Sequence, residues 1–290
     1  MVRSTWRGAA YLSLAASIWG GMFVMVRVAT SVIPPVPLVW LRYLTAAVAI
    51  FLFGVARGVS WHVSVKDWRL IFLIGLMGQT ISIVTQETGT MMTSAQMGSI
   101  ITAATPAFMV IFARLILHEA LTPGRILSVA LATAGVLAIV AGPGEVEMGS
   151  FWGSLSLVVA ALTWALMSIL LKKLPQYPTV TVTFYGVLVA LALLAPPSLW
   201  WLASADREAI FAAPILLSVL YLGIVSTFGG FCLWNMGLRE MDATVSGLFF
   251  FFQPVVGTLL GWLFLGEAVT PWFFLGSALI AAGVLLAMRP

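Results

Sequence analysis

Ten runs of about twenty mostly apolar residues follow one another along the chain, at 8–30, 36–57, 68–89, 94–115, 124–142, 150–172, 179–202, 211–237, 243–264 and 271–288, joined by short connections. About 20 apolar residues in a helix cross the hydrocarbon core of a bilayer. In lipid each backbone N–H and C=O must be satisfied within its own segment, which favours helices. A soluble alternative fails on charge: 8% of the 290 residues are Asp, Glu, Lys or Arg, against about 25% in soluble domains. The expectation is an all-α integral membrane protein of ten transmembrane helices, with no stretch outside the spans long enough for a soluble domain. Arg3 and Arg7, followed by Ala15-Ala16-Ser17, imitate a signal peptide, but the apolar run continues through Trp19 to Val26 and reads as an uncleaved first helix.

The basic residues orient the spans. With a cytoplasmic N-terminus, eleven of the 14 Lys and Arg fall in cytoplasmic connections and only Arg207 falls outside, with Arg27 and Arg42 inside spans. This is the positive-inside bias, and an even number of spans places both termini in the cytoplasm. The same scatter argues against nucleic acid as a partner, because no basic patch forms. Cys232 is the single cysteine, and His62 and His118 lie far apart, so no metal site is expected. No P-loop is present, and no His, Asp or Cys cluster lies within the spans. Neither an enzyme nor a cofactor is expected.

The rare residues repeat in order. A shift of 148 carries Gly75 onto Gly223, Gly89 onto Gly237, Ala95 onto Ala243, Pro106 onto Pro254, and Glu119-Ala120-Leu121-Thr122-Pro123 onto Glu267-Ala268-Val269-Thr270-Pro271. Earlier in each half the shift is 145, carrying Gly8 onto Gly153, Trp19 onto Trp164 and Arg27 onto Lys172. The repeat divides the chain into two five-helix halves, 1–147 and 148–290. Five is odd, so the halves enter the bilayer in opposite senses. Inverted repeats of this kind suit a transporter with its site near the midplane between the halves.

Polar side chains inside spans are few, and each is costly unless it has a partner or faces a cavity. Gln79, Ser82 and Gln86 share one face of the third span and form a candidate pathway lining; their alternative is hydrogen bonding between helices. Trp234 and Asn235 match Gln86 and Glu87 in the repeat and join the candidates. Trp19 and Trp164, mid-span repeat mates, could stack on a flat or cationic substrate. Gln253 precedes Pro254, where a span is interrupted as Pro106 interrupts its counterpart. Arg42 and Glu87 lie at similar depth near the outer side, which predicts an approach, as a gate or a static clamp, with Arg27 nearby. Glu87 is the first candidate for coupling to protons. Glu119 and Glu267 occupy turns and are expected to be structural, through the favourable effect of an acid near a helix N-terminus.

The pattern resembles the EamA family of the drug/metabolite transporter superfamily. The matching residues include Ile18-Trp19-Gly20 with Arg27, Arg42, the stretch Ser99 to Pro106, Glu119-Ala120-Leu121-Thr122-Pro123, Gln253-Pro254-Val255-Val256, and Leu265-Gly266-Glu267-Ala268-Val269-Thr270. One departure is His118, where a Gly before the Glu is common in the family. The resemblance implies a secondary transporter of the cytoplasmic (inner) membrane that exports a small organic, amino acid-like or drug-like compound by alternating access. The alternative is a carrier or flippase for a nucleotide- or lipid-linked substrate.

Overall fold

A computed structural model describes residues 2–141, 151–266 and 271–287. Every regular element among them is helical. Eight helices are long and apolar enough to cross a membrane: α1 (Val2–Ala29), α2 (Pro35–Ala56), α3 (Val65–Met92), α4 (Ala95–Leu117), α6 (Phe151–Leu171), α7 (Thr179–Leu202), α8 (Ala213–Glu240) and α9 (Ala243–Phe264). Two further apolar helices, α5 (Pro123–Ala141) and α10 (Pro271–Ala287), pack against each other. The expected division at 147/148 and the Glu267 turn lie outside the described residues.

The polarity of the surface is that of a membrane protein. Trp6, Phe151, Trp200, Leu217, Phe264 and Phe274 are exposed, while Arg42, Gln79, Ser82 and Glu87 are buried. Lipid takes the exposed apolar belt at no cost, and the polar groups find one another inside.

Helices distant in sequence interleave. Helix α1 packs on α8 and α9, whereas α6 packs on α3 and α4; α2 lies between α7 and α8. Small residues permit the approach. A Cβ on Gly89 would come within 2.7 Å of the Gly153 carbonyl oxygen and 2.6 Å of Leu157; one on Gly237 would come within 3.1 Å of the Gly8 carbonyl oxygen and 2.5 Å of Leu12. Likewise Gly75 abuts the Gly186 carbonyl and Val189, and Gly223 abuts the Arg42 carbonyl and Thr45. Gly186 and Val189 lie 144 residues beyond Arg42 and Thr45.

Four helices depart from regular α-geometry near the middle. Helices α3 and α8 contain π-helical segments, Gly75–Ser82 and Tyr221–Gly230. Helix α4 breaks at Ala103 and Ala104, so Pro106 falls in the first turn of a new helical segment, where its missing N–H is harmless. Helix α9 tightens to a 3-10 turn at Phe249–Phe251 ahead of Pro254. The sequence had located these interruptions at the prolines; they sit just before them. At the end of α4, His118 adopts the left-handed conformation (φ 57°), the role Gly266 plays (φ 70°) at the end of α9. The turn thus keeps its geometry without glycine, at some backbone strain.

Candidate functional site

Arg42 enters from α2, and Glu87 from α3. Both are fully buried, and Arg42 Nη1 lies 2.7 Å from Glu87 Oε1. The guanidinium also ties in α8: Nε donates to Thr227 Oγ1 (3.0 Å), and Nη2 donates to Ser226 Oγ (3.2 Å) and Thr227 Oγ1 (2.9 Å). Ser226 and Thr227 belong to the π-helical segment of α8. Widened helical turns of this kind gather at functional sites. Here the Ser226 carbonyl accepts the Trp19 indole N–H at 3.0 Å, and Thr227 Oγ1 donates to the Leu222 carbonyl five residues back. Arg27 does not join the expected pair. It is exposed and donates to the Met91 carbonyl at the end of α3 (2.9 Å), because its position at the close of α1 sets it beyond the depth of Arg42.

Beside the pair lies a narrow cavity lined by Trp19, Met22, Ile83, Gln86, Trp164, Phe231, Phe250 and Gln253, drawn from α1, α3, α6, α8 and α9. Its space holds about one water molecule, so its own side chains nearly fill the site. Aromatic rings make the walls. Trp19 meets Trp164 edge to face at 5.1 Å and stacks on Phe250 at 5.7 Å, and Trp164 lies 5.0 Å from Phe231. The two tryptophans differ in one respect: Trp19 gives its N–H to Ser226, whereas the buried Trp164 Nε1 has no partner among the described residues.

The structure divides the sequence candidates. Trp19, Gln86, Trp164 and Gln253 line the cavity; Gln253 Oε1 accepts from Thr102 Oγ1 at 3.3 Å, across the interruptions of α4 and α9. The others bind helices together. Ser82 donates to the Ala160 carbonyl (2.8 Å), Trp234 Nε1 to Ser168 Oγ (3.2 Å), and Asn235 Nδ2 to Thr183 Oγ1 (3.0 Å). The Gln79 side chain lies over Gly186, and its Oε1 has no partner among the described residues. The shared face expected of Gln79, Ser82 and Gln86 is divided because the π-helical segment Gly75–Ser82 changes the rotation per residue before Gln86. Sequence reasoning missed Met22, Ile83, Phe231 and Phe250. Two signals were available: Met22 lies one turn beyond Trp19 on the same face, and Phe231 is the 148-residue counterpart of Ile83.

A second polar cluster joins the ends of α4, α6 and α8 to the start of α9. Glu119 Oε1 accepts from the Ala243 N–H (2.9 Å), and its Oε2 accepts from the N–H and hydroxyl of Thr244 (3.3 and 3.1 Å). Lys172 Nζ lies 3.7 Å from Glu119 and donates to the Met241 carbonyl (2.6 Å). Arg239 Nη2 donates to the Tyr177 carbonyl. Glu119 is therefore an N-terminal acid for α9, a helix distant in sequence.

Comparison with known proteins settles the kind of molecule. The model of the EamA-like transporter family matches twice, over residues 6–141 and 151–289. This chain belongs to the EamA-like transporter family. An uncharacterized transporter of Archaeoglobus fulgidus is 25% identical to this EamA-like transporter over 279 residues, covering 96% of this chain and 97% of that one. A probable terminal-alkyne amino-acid exporter of Streptantibioticus cattleyicolor is 26% identical over 282 residues, covering 96% and 92%. A probable amino-acid metabolite efflux pump of Salmonella typhimurium is 26% identical over 287 residues, covering 93% and 91%. A solved crystal structure at 21% identity shares the fold, with a TM-score of 0.79 over 99% of this chain and 96% of that one. The EamA-like chain is thus a multi-pass membrane transporter and not an enzyme.

Proposed function

We propose that this protein is a secondary transporter of the cytoplasmic membrane that exports a small organic metabolite, amino acid-like or drug-like, by alternating access. The observation that carries this reading is the narrow aromatic cavity between α1, α3, α6, α8 and α9, with Trp19 and Trp164 in edge-to-face contact beside the buried Arg42–Glu87 pair. Two relatives named as exporters of amino acids or their metabolites support the direction and the substrate class. In this reading ten helices form two inverted five-helix halves with both termini cytoplasmic. The two family-model matches and the paired glycine junctions support that architecture.

Alternating access needs a cavity that opens to one side at a time. The Glu119–Lys172–α9 cluster would then close the cytoplasmic side, and Arg42–Glu87 would hold α2, α3 and α8 together on the outer side. Glu87 is the acid through which protons would couple. The residues lining the aromatic cavity carry no ionised group, which suits a small organic compound there, whereas a second cavity beside Lys172, Asn235 and Arg239 is basic and is the feature that favours the nucleotide-linked alternative.

The test is transport in proteoliposomes with a panel of amino acids, organic cations, nucleosides, and nucleotide-linked and lipid-linked compounds, with and without a pH gradient. Saturable movement of an amino acid or small organic compound is expected. Loss of that movement on Trp164→Ala, in protein that remains folded, locates it at this cavity. Movement of nucleotide-linked or lipid-linked compounds alone would refute the proposal.

A further inference from the structure

Three N–H donors converge on one weak acceptor beside the cavity. Arg42 Nη1 and Nη2 lie 3.7 and 3.6 Å from Met22 Sδ, and Gln86 Nε2 lies 3.8 Å from the same sulfur. A sulfur equidistant from both Nη atoms sits at the mouth of the guanidinium fork. That is where a carboxylate binds arginine through two parallel, charge-assisted hydrogen bonds. A thioether is a poor substitute, because it accepts weakly. The remaining donors of Arg42 are well used: Nε and one side of Nη2 go to Ser226 and Thr227, and one side of Nη1 goes to Glu87. The fork alone is left to sulfur.

Met22 also lines the cavity, whereas Arg42 does not. Its side chain therefore stands between the aromatic box and a fully buried cation. Methionine is unbranched and turns about three bonds, so it can leave such a place at little cost. We propose that Met22 is the removable cap of a latent carboxylate site. A substrate carboxylate displaces Met22 Sδ, takes the Arg42 fork and the Gln86 amide, and leaves its apolar remainder among Trp19, Trp164, Phe231 and Phe250. The inference rests on the transport reading above and narrows it to carboxylates with an apolar or aromatic body. Glu87 Oε2, buried and without a partner among the described residues, offers a place for an ammonium where the carboxylate is that of an amino acid.

The experiment measures binding by tryptophan fluorescence to the full chain in lipid nanodiscs, with three probes: phenylalanine, 3-phenylpropionate and 2-phenylethylamine. Wild-type protein is expected to bind a carboxylate in preference to the amine. Binding of both carboxylates marks the carboxylate alone as sufficient, and binding of phenylalanine alone adds the Glu87 contact. Two Met22 variants should move in opposite directions. Met22→Ala uncaps the fork and raises the ratio of carboxylate to amine affinity roughly tenfold; Met22→Gln supplies a permanent carbonyl acceptor of similar length and lowers that ratio by a similar factor. Thermal melts confirm that both variants fold. The inference is overturned if both variants change carboxylate and amine affinity alike, or if the amine binds as well as the acids. Transport of uncharged or cationic compounds in liposomes, with no carboxylate binding, would end this inference and leave the transporter reading standing. Failure of every probe to bind, together with failure of the liposome panel, would remove both.

Discussion

Arg42 and Glu87 form a fully buried ion pair, and removing one member leaves the other uncompensated. Such a loss costs about 3–5 kcal/mol, whereas exchanging both members for apolar residues is far milder. Arg42→Gln removes the contact to Glu87 and the contacts to Ser226 and Thr227, so α2 loses its charged tie to α3 and these bonds to α8, and keeps the Tyr43 hydroxyl bond to the Gln79 carbonyl of α3. It should fall near the upper end of that range. Glu87→Gln keeps an acceptor for Nη1, and Arg42 keeps its two hydroxyl partners; a loss of about 2–3 kcal/mol is expected. The double variant Arg42→Met/Glu87→Leu should lie closer to wild type than Arg42→Gln. In a chain of this length, about 1 kcal/mol moves a melting midpoint by roughly 2 °C, so Arg42→Gln should melt roughly 8–10 °C lower in mild detergent. The measurement is a melt followed by intrinsic fluorescence at fixed lipid and detergent. A midpoint for Arg42→Gln within 2 °C of wild type, or a double variant less stable than either single change, would refute the reasoning.

Further expectations follow from individual contacts. His118→Gly relieves a left-handed backbone that glycine adopts freely, and should stabilise the turn after α4 by up to about 1 kcal/mol, raising the melting midpoint. Trp19→Phe removes a buried indole bond to Ser226 and should cost about 1 kcal/mol more than Trp164→Phe, whose N–H has no partner among the described residues; parallel melts of the two variants compare them. Gly223→Ala sets a methyl 2.5 Å from the Arg42 carbonyl oxygen, forces α2 and α8 apart, and should abolish transport or lower the melting midpoint by several degrees. Glu87→Gln should remove the dependence of transport on a pH gradient; wild-type transport with an unaltered pH profile would exclude Glu87 as gate or coupling residue.

The membrane class was legible without any structure, because apolar run length and charge scarcity are local properties that lipid reads directly. The depth argument that brought Arg42 toward Glu87 worked for a related reason: span direction and residue number fix height in the bilayer. The same argument carried Arg27 too far inward, since height is uncertain by a turn near a helix end. Gln79 shows the converse difficulty. Regular 3.6-residue periodicity set it on the face of Gln86, but the π-helical turn between them rotates it onto Gly186.

By itself, the sequence determined that this chain lives in lipid as helices, and that its two parts share a pattern of glycines, tryptophans and prolines. Both follow from interactions within one segment or from identities at fixed spacing. Only the tertiary structure decided which polar groups meet. Arg42 is 185 residues from Thr227, and Glu119 is 124 from Ala243, and nothing local sets those pairings. They depend on helix rotation, on unwound turns and on the close approach that small residues allow. The placing of Met22 at the arginine fork belongs with them, because a thioether in an apolar run gives no sign of the charge it covers.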